Sequence, residues 1–352
     1  MKKTLIALAA VAATGAAFAQ STVTLYGIAD IGYATTTSKS TAGVTTAKTN
    51  GMVSGVQSGS RWGVRGTEDL GGGLKANFNF ESAIGANDGT GNNAFGRRSV
   101  VELEGGFGKV GLGRDYTPSF SLIGGTDVTG TDAATTSDLY PAGVRADNMF
   151  MYTSPSFGGV VAKAGLVSQK SGTPADPAKT NGVDVSVSYS AGPLMVGAGF
   201  GNSKVNTSAV AAVAPVTATS TVNGVLGSAA VAATQTKNSH TVIGATYDLG
   251  VAKLFANQIN YKNKSTNAKS AETNLGVSAP MGAVTLMAGV GMDNDKSAAG
   301  AKSKATDYML GANYSLSKRT NAYARYDVDQ TPAVSGTKAK KTALNVGVRH
   351  TF

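Results

Sequence analysis

Apolar and polar residues alternate along much of this chain. From Thr22 to Tyr33, one face of an extended segment takes Val23, Leu25, Gly27, Ala29, Ile31 and Tyr33. The other takes Thr24, Tyr26, Asp30 and Gly32, with Ile28 the exception. A period of two marks a strand with one apolar face. Val183, Val185, Val187 and Tyr189 alternate in the same way with Asp184, Ser186 and Ser188, and near the end Leu344, Val346, Val348 and Phe352 oppose Asn345, Gly347 and Arg349. The pattern predicts strands near 22–34, 57–67, 74–85, 95–104, 108–114, 147–153, 159–167, 182–190, 194–201, 239–248, 251–262, 271–279, 283–293, 305–315, 320–329 and 341–352, about sixteen in all. Within 251–262 the two faces are mixed.

The connections carry a second pattern. Short turns such as Gly105-Gly106-Phe107, Ala191-Gly192-Pro193 and Pro280-Met281-Gly282 alternate with longer polar stretches near 35–56, 86–94, 115–146, 168–181, 202–238, 263–270, 294–304 and 330–340. Short turns at one rim and long loops at the other predict an all-β fold, a transmembrane up-and-down antiparallel β-barrel. A soluble sandwich has no reason to alternate so. In hydrocarbon an unpaired backbone N–H or C=O costs several kcal/mol, so the sheet must close on itself. Closure at about sixteen strands leaves a water-filled channel.

Composition agrees. Of 352 residues 41% are hydrophobic and only 15% charged, few charges for a soluble domain and few apolar residues for helical spans. Alternate residues facing lipid account for both. No segment after the first has the roughly 18 continuous apolar residues of a membrane helix. The absence of Cys excludes disulfides, thiolate metal sites and Cys catalysis. The chain opens with Lys2 and Lys3, an apolar run from Leu5 to Ala13, and Ala17-Phe18-Ala19, the order of a secretory signal over 1–19 with the barrel in 20–352. Removing Lys2 and Lys3 leaves 29 basic against 21 acidic residues, a net charge of about +8. The basic residues are scattered without a recognition helix, which argues against nucleic acid.

One connection stands apart. The stretch 115–146 is too long for a structureless link unless it has a function, and it carries Asp115, Asp127, Asp132 and Asp138 before Arg145. The expectation is a loop folded into the lumen as a constriction, its carboxylates facing arginines on the wall; the alternative is an ordinary surface loop. Arg61 and Arg65 share the face opposite Trp62 and Val64, which places them in the lumen with Arg98. Lys75, Asn77, Asn79 and Glu81 alternate with Ala76, Phe78 and Phe80, a further polar stripe inside the barrel. The loop near 202–238 has no charge from Thr207 to Thr236 and reads as exposed. Tyr33, Tyr189, Tyr247, Tyr308, Tyr314 and Phe352 are expected at strand ends, as interfacial girdles.

Catalysis finds little support. Only His240 and His350 offer imidazole; His240 is expected to open a strand at a rim and His350 to lie on the apolar face beside Phe352. Neither has a Ser and carboxylate pattern. Asp293-Asn294-Asp295 starts like a calcium loop, but Lys296 and the missing Gly and final Glu depart from it. No cofactor and no metal are expected.

Several segments together resemble the trimeric general-diffusion porins of Gram-negative outer membranes, in the branch that includes anion-preferring members. They are Val23-Thr24-Leu25-Tyr26-Gly27 with Asp30, Gly59-Ser60-Arg61-Trp62-Gly63-Val64-Arg65-Gly66 running into Glu68-Asp69-Leu70-Gly71-Gly72-Gly73-Leu74-Lys75, Gly111-Leu112-Gly113-Arg114, Asp147-Asn148 with Tyr152-Thr153-Ser154-Pro155, and Val346-Gly347-Val348-Arg349-His350-Thr351-Phe352. The resemblance implies a sixteen-stranded barrel, a homotrimer, and a third long loop bent inward. It also implies eyelet arginines at Arg61, Arg98 and Arg145, a final Phe352 read by the barrel-assembly machinery, and surrounding outer-membrane lipid and lipopolysaccharide. Glu102 and Glu104 depart from the small residues that relatives tend to carry there, and the loop lacks the short acidic tip motif of some members. The function expected is passive diffusion of small hydrophilic solutes and ions across the outer membrane, with a mild preference for anions. The alternative is a surface binder or adhesin with a narrow or plugged pore.

Overall fold

A computed structural model describes residues 22–91, 94–129, 144–173, 176–207, 234–331 and 338–352. Its strands are β1 (Thr22–Lys39), β2 (Thr45–Ser54), β3 (Arg61–Gly71), β4 (Leu74–Ala83), β5 (Arg98–Gly105), β6 (Gly108–Tyr116), β7 (Arg145–Thr153), β8 (Val160–Thr173) and β9 (Asp176–Ala191). They continue as β10 (Leu194–Thr207), β11 (Thr234–Asp248), β12 (Lys253–Asn263), β13 (Lys269–Met281), β14 (Val284–Lys296), β15 (Lys302–Ser315), β16 (Thr320–Gln330) and β17 (Lys340–Thr351). A helix, α1 (Pro118–Thr126), lies between β6 and β7. Sequential strands pair antiparallel and β17 pairs back onto β1, so the sheet closes. β2 and β3 share one place in the wall, because Ile31–Lys39 of β1 pairs with β2 and Thr22–Ile28 with β3. The molecule is a closed antiparallel barrel of sixteen staves, the number the alternation predicts.

The outer face is apolar and open to lipid: Val23, Leu25, Leu112, Ile243 and Leu310 are each at least 60% exposed. The strands run further at the loop rim than the alternation indicates. The expected connection 35–56 is mostly the β1–β2 ladder, and 168–181 mostly the β8–β9 ladder. Beyond the lipid zone neither face needs to be apolar, so in Thr35–Lys39 and Thr45–Asn50 the period of two fades while backbone pairing continues. Tyr189, Tyr247, Tyr314 and Phe352 lie exposed near the short-turn ends. Tyr33 and Tyr308 are exposed as well but fall inside β1 and β15, whose ends lie beyond those predicted.

The last residue closes the wall. Gly27 and Phe352 exchange backbone hydrogen bonds of 3.0 and 3.1 Å, and the Phe352 ring lies over Gly27, where an added Cβ would sit 2.3 Å from it. Only glycine admits that contact.

Between β2 and β3 the chain leaves the wall and turns inward. Asp30, fully buried, organises this turn: Oδ2 accepts from the backbone N–H of Gln57 (2.7 Å) and Ser58 (2.6 Å), and Oδ1 accepts from the Tyr323 hydroxyl (2.7 Å). A buried carboxylate is tolerable when its oxygens are satisfied in this way. The turn reaches β16, where Asn321 donates to Gln57 (2.8 Å) and Arg325 to the Val56 carbonyl (3.1 Å).

The mixed faces of 251–262 have a physical cause. Ile259 of β12 and Val242 of β11 point into the barrel and are buried against Phe120, Leu122 and Ile123 of α1. The barrel thus holds an apolar core within its lumen, each such side chain contributing about 1.5–3 kcal/mol by burial.

Candidate channel constriction

α1 starts at Thr117-Pro118, with proline at a first-turn position where its fixed φ suits the helix and its missing N–H costs nothing. Thr117 makes no side-chain cap. The wall supplies it: Asp184 of β9 accepts the Ser119 backbone N–H at 2.6 Å, a negative charge at the positive end of the helix dipole. At the other end Asn257 of β12 donates to the Thr126 carbonyl (3.2 Å), and Asn274 of β13 joins Asn257 (2.9 Å) to Glu272 (2.7 Å). Gly199 and Gly244 form the floor under the helix. A Cβ on Gly199 would lie 2.7 Å from Ser119 Oγ, and one on Gly244 2.5 Å from Thr126 Oγ1. α1 therefore lies against β9–β12 inside the barrel, clamped at both its ends.

His240 corrects one expectation. It does not open a strand at a rim; β11 begins at Thr234, and His240 lies within it, buried and facing the lumen. Its Nε2 is 2.9 Å from Asp184 Oδ2, so it braces the carboxylate that caps α1. His350 lies outside, beside Phe352 and 2.9 Å from the Thr320 hydroxyl.

The opposite wall is basic. Arg61 and Arg65 alternate with Trp62 on β3, and the register sets Gly63 against Tyr26 and Glu81, which fixes the lumen side. Glu81 accepts from Arg97 (2.7 Å) and the Tyr26 hydroxyl (3.1 Å), with Arg61 at 3.9 Å. Arg98 pairs with Asp115 at 2.5 Å. Arg145 stacks over the Tyr116 ring, 4.1 Å from its centre, and donates to the Tyr116 hydroxyl at 2.5 Å, which also accepts from Arg97 (3.2 Å). Arg65 lies over the Tyr26 ring at 5.1 Å. Arg61, Arg98 and Arg145 thus belong to one constellation with Arg97, Glu81, Asp115, Tyr26 and Tyr116.

Arg97 escaped the sequence reading because strand parity lets only one of two adjacent arginines point inward. Arg97 precedes β5, where parity does not apply.

Among the acids of 115–146, Asp115 faces a wall arginine, Arg98, whereas Asp127 has neighbours other than Arg61, Arg98 and Arg145. Asp127 accepts from the backbone and hydroxyl of Thr129 (2.6 and 2.5 Å) and lines a cleft of about 300 Å³ with Gln57, Ser58, Arg325 and Arg349. Its neighbours are thus the inward turn and β16–β17. Asp132 and Asp138 lie outside the described residues. Instead, acids of the far wall face inward: Glu272 is directly across the ladder from Asp293, and Asp307 and Asp327 follow on β15 and β16, all four buried. Their parity opposite Tyr308, Leu310 and Tyr326 was available in the sequence. A closed barrel with an apolar outer belt and opposed basic and acidic lumen walls defines a transmembrane channel.

The comparisons agree. A family model described as Gram-negative porin matches residues 4–333. Outer membrane porin protein 32 of Delftia acidovorans is 35% identical over 100% of both chains, and an outer membrane porin of Bordetella pertussis 34% identical over 100% of both. Among solved structures, an anion-selective porin from Comamonas acidovorans shares the fold with a TM-score of 0.73 and 29% identity, covering 95% of this chain and 100% of that one. The chain belongs to the Gram-negative porin family. It is an outer-membrane channel for passive diffusion, and the surface-binder alternative is not favoured.

Proposed function

We propose that this porin passes small hydrophilic solutes with a mild preference for anions, including small phosphates and carboxylates, selected at the stretch 115–146 and the arginine wall. The observation that carries the reading is the cluster of Arg61, Arg97, Arg98 and Arg145 around two carboxylates, Glu81 and Asp115. Arg65 adds charge toward the short-turn side, while Asp127, Asp132 and Asp138 belong to the opposing loop. Fixed opposite charges across a narrow passage set a transverse field and order the water of a permeating ion, and the side with surplus charge decides the preferred sign. The similarity to an anion-selective porin from Comamonas acidovorans supports this assignment. We further assign residues 1–19 to an export signal, Phe352 to recognition by the barrel-assembly machinery, and the functional unit to a homotrimer in a lipid and lipopolysaccharide membrane.

The test is the zero-current potential of a planar bilayer under a salt gradient. R61Q/R98Q should move it toward cation preference. Raising ionic strength should weaken the native preference, since the screening length falls from about 10 Å at 0.1 M to about 3 Å at 1 M. A potential unmoved by the double substitution would exclude these arginines as the selectivity element.

A further inference from the structure

The cleft of about 300 Å³ beside Asp127 is bounded by Val128 and Thr129 at the end of α1, by Gln57 and Ser58 of the inward turn, and by β14–β17. It lies toward the short turns, since Asn313 and Arg349 are each two residues from the end of their strand on that side.

Three kinds of chemistry meet there. Met287 and Met309 converge over Gly311, where an added Cβ would lie 3.2 Å from Met287 Cε and 3.4 Å from Met309 Sδ. With Val128 they make an apolar patch that adapts to differing shapes. Arg349 makes no hydrogen bond or ion pair among the described residues, and its Nε is shut off from water. Asp30, its neighbour across β1–β17, gives its oxygens to Gln57, Ser58 and Tyr323 instead. Arg325 is already held by Asp327 and the Val56 carbonyl. Asp127, 5% exposed, receives both bonds from Thr129 on Oδ1, and Oδ2 takes none among the described residues. A cation and a carboxylate oxygen withdrawn from water without partners are costly, and a ligand that pairs them recovers that cost. Arg349 and Asp127 line one cleft yet form no ion pair with each other, which leaves space for a molecule between them.

We propose that this cleft binds a free amino acid with an apolar side chain, its carboxylate on Arg349, its ammonium on Asp127 Oδ2 and its side chain against Met287 and Met309. The proposal rests on the channel reading and adds a zwitterionic solute to it. An inorganic anion would leave the methionine patch bare. An apolar carboxylate without an ammonium would set a second negative charge beside Asp127. In a diffusion channel such a site must release its solute as readily as it takes it up.

The experiment is block of the chloride current through the full chain in a planar bilayer, using solutes of one carbon skeleton. They are leucine, isocaproate, which lacks the ammonium, and isoamylamine, which lacks the carboxylate. Leucine should reach half-block at a concentration about tenfold below either analogue, the effect of one charged hydrogen bond. R349Q should weaken block by leucine and isocaproate but not by the amine. D127N should weaken block by leucine and the amine but not by isocaproate. M287T keeps every charge and serves should a charge variant fail to assemble; it should weaken leucine and leave glycine, measured alongside, unchanged. Equal block by leucine and isocaproate would overturn the proposal and leave a plain anion site. So would R349Q weakening all three solutes alike, the mark of a change in the whole pore, or an absence of leucine block in a conducting native channel. A native chain that carries no current would instead count against the channel reading.

Discussion

Asp184 caps a helix to which it does not belong: from β9 it takes the backbone N–H of Ser119, at the start of α1, at 2.6 Å. With His240 holding the other oxygen, one carboxylate joins the loop to two strands of the wall. Replacing Asp184 by alanine should free the first turn of α1, with a loss on the order of 1–3 kcal/mol for a charged, buried hydrogen bond. Single-channel recordings should show larger current fluctuations and higher mean conductance in an assembled barrel. A quiet trace at native conductance would show that the cap is dispensable.

The floor under the helix gives the opposite sign. Gly199→Val places carbon where Ser119 already lies, at 2.7 Å. The wall strand is held by ladders on both sides, so the helix must move, and the direction open to it is toward the lumen. Conductance should fall. If it rose, α1 would have been expelled from the barrel instead.

Glu81 holds down the charge of the arginine wall through Arg97, with Arg61 at 3.9 Å. Glu81→Gln keeps the shape and removes one negative charge, leaving the same arginines with less compensation. Anion preference should increase, seen as a shift of the zero-current potential opposite to that of R61Q/R98Q. A shift of the same sign for both variants would show that geometry, not net charge, controls selection here.

Asp30 tests the second inward element. Asp30→Ala removes the acceptor for Gln57, Ser58 and Tyr323 at once. A loss of about 3 kcal/mol or more is expected from the donors left buried, with release of the 55–60 turn. The readout is proteolytic cleavage near Gln57 together with a lower unfolding temperature; native resistance at that site would show that the turn is held from elsewhere.

Much of this protein is local and was therefore legible in the sequence. Lipid on one side and water on the other impose a period of two on every spanning strand, so Val23, Leu25 and Leu310 declared their outward face, and Arg61 and Arg65 their inward one. The same rule failed wherever that contrast was absent: at the loop rim, where Thr35–Lys39 meets water on both faces, and in β12, where Ile259 points inward yet stays dry. The length and acidity of 115–146 marked an unusual loop, but its path depends on contacts between residues far apart in the chain. Ser119 with Asp184 and Thr126 with Asn257 are pairs separated by 65 and 131 positions, and no local periodicity encodes them. Closure of the barrel made those pairs and brought Arg97 beside Arg61 and Arg145. The sequence by itself determined which face of each strand meets water; only the tertiary structure decided which charges meet each other there, because strand register and the docking of α1 are set by the whole closed sheet.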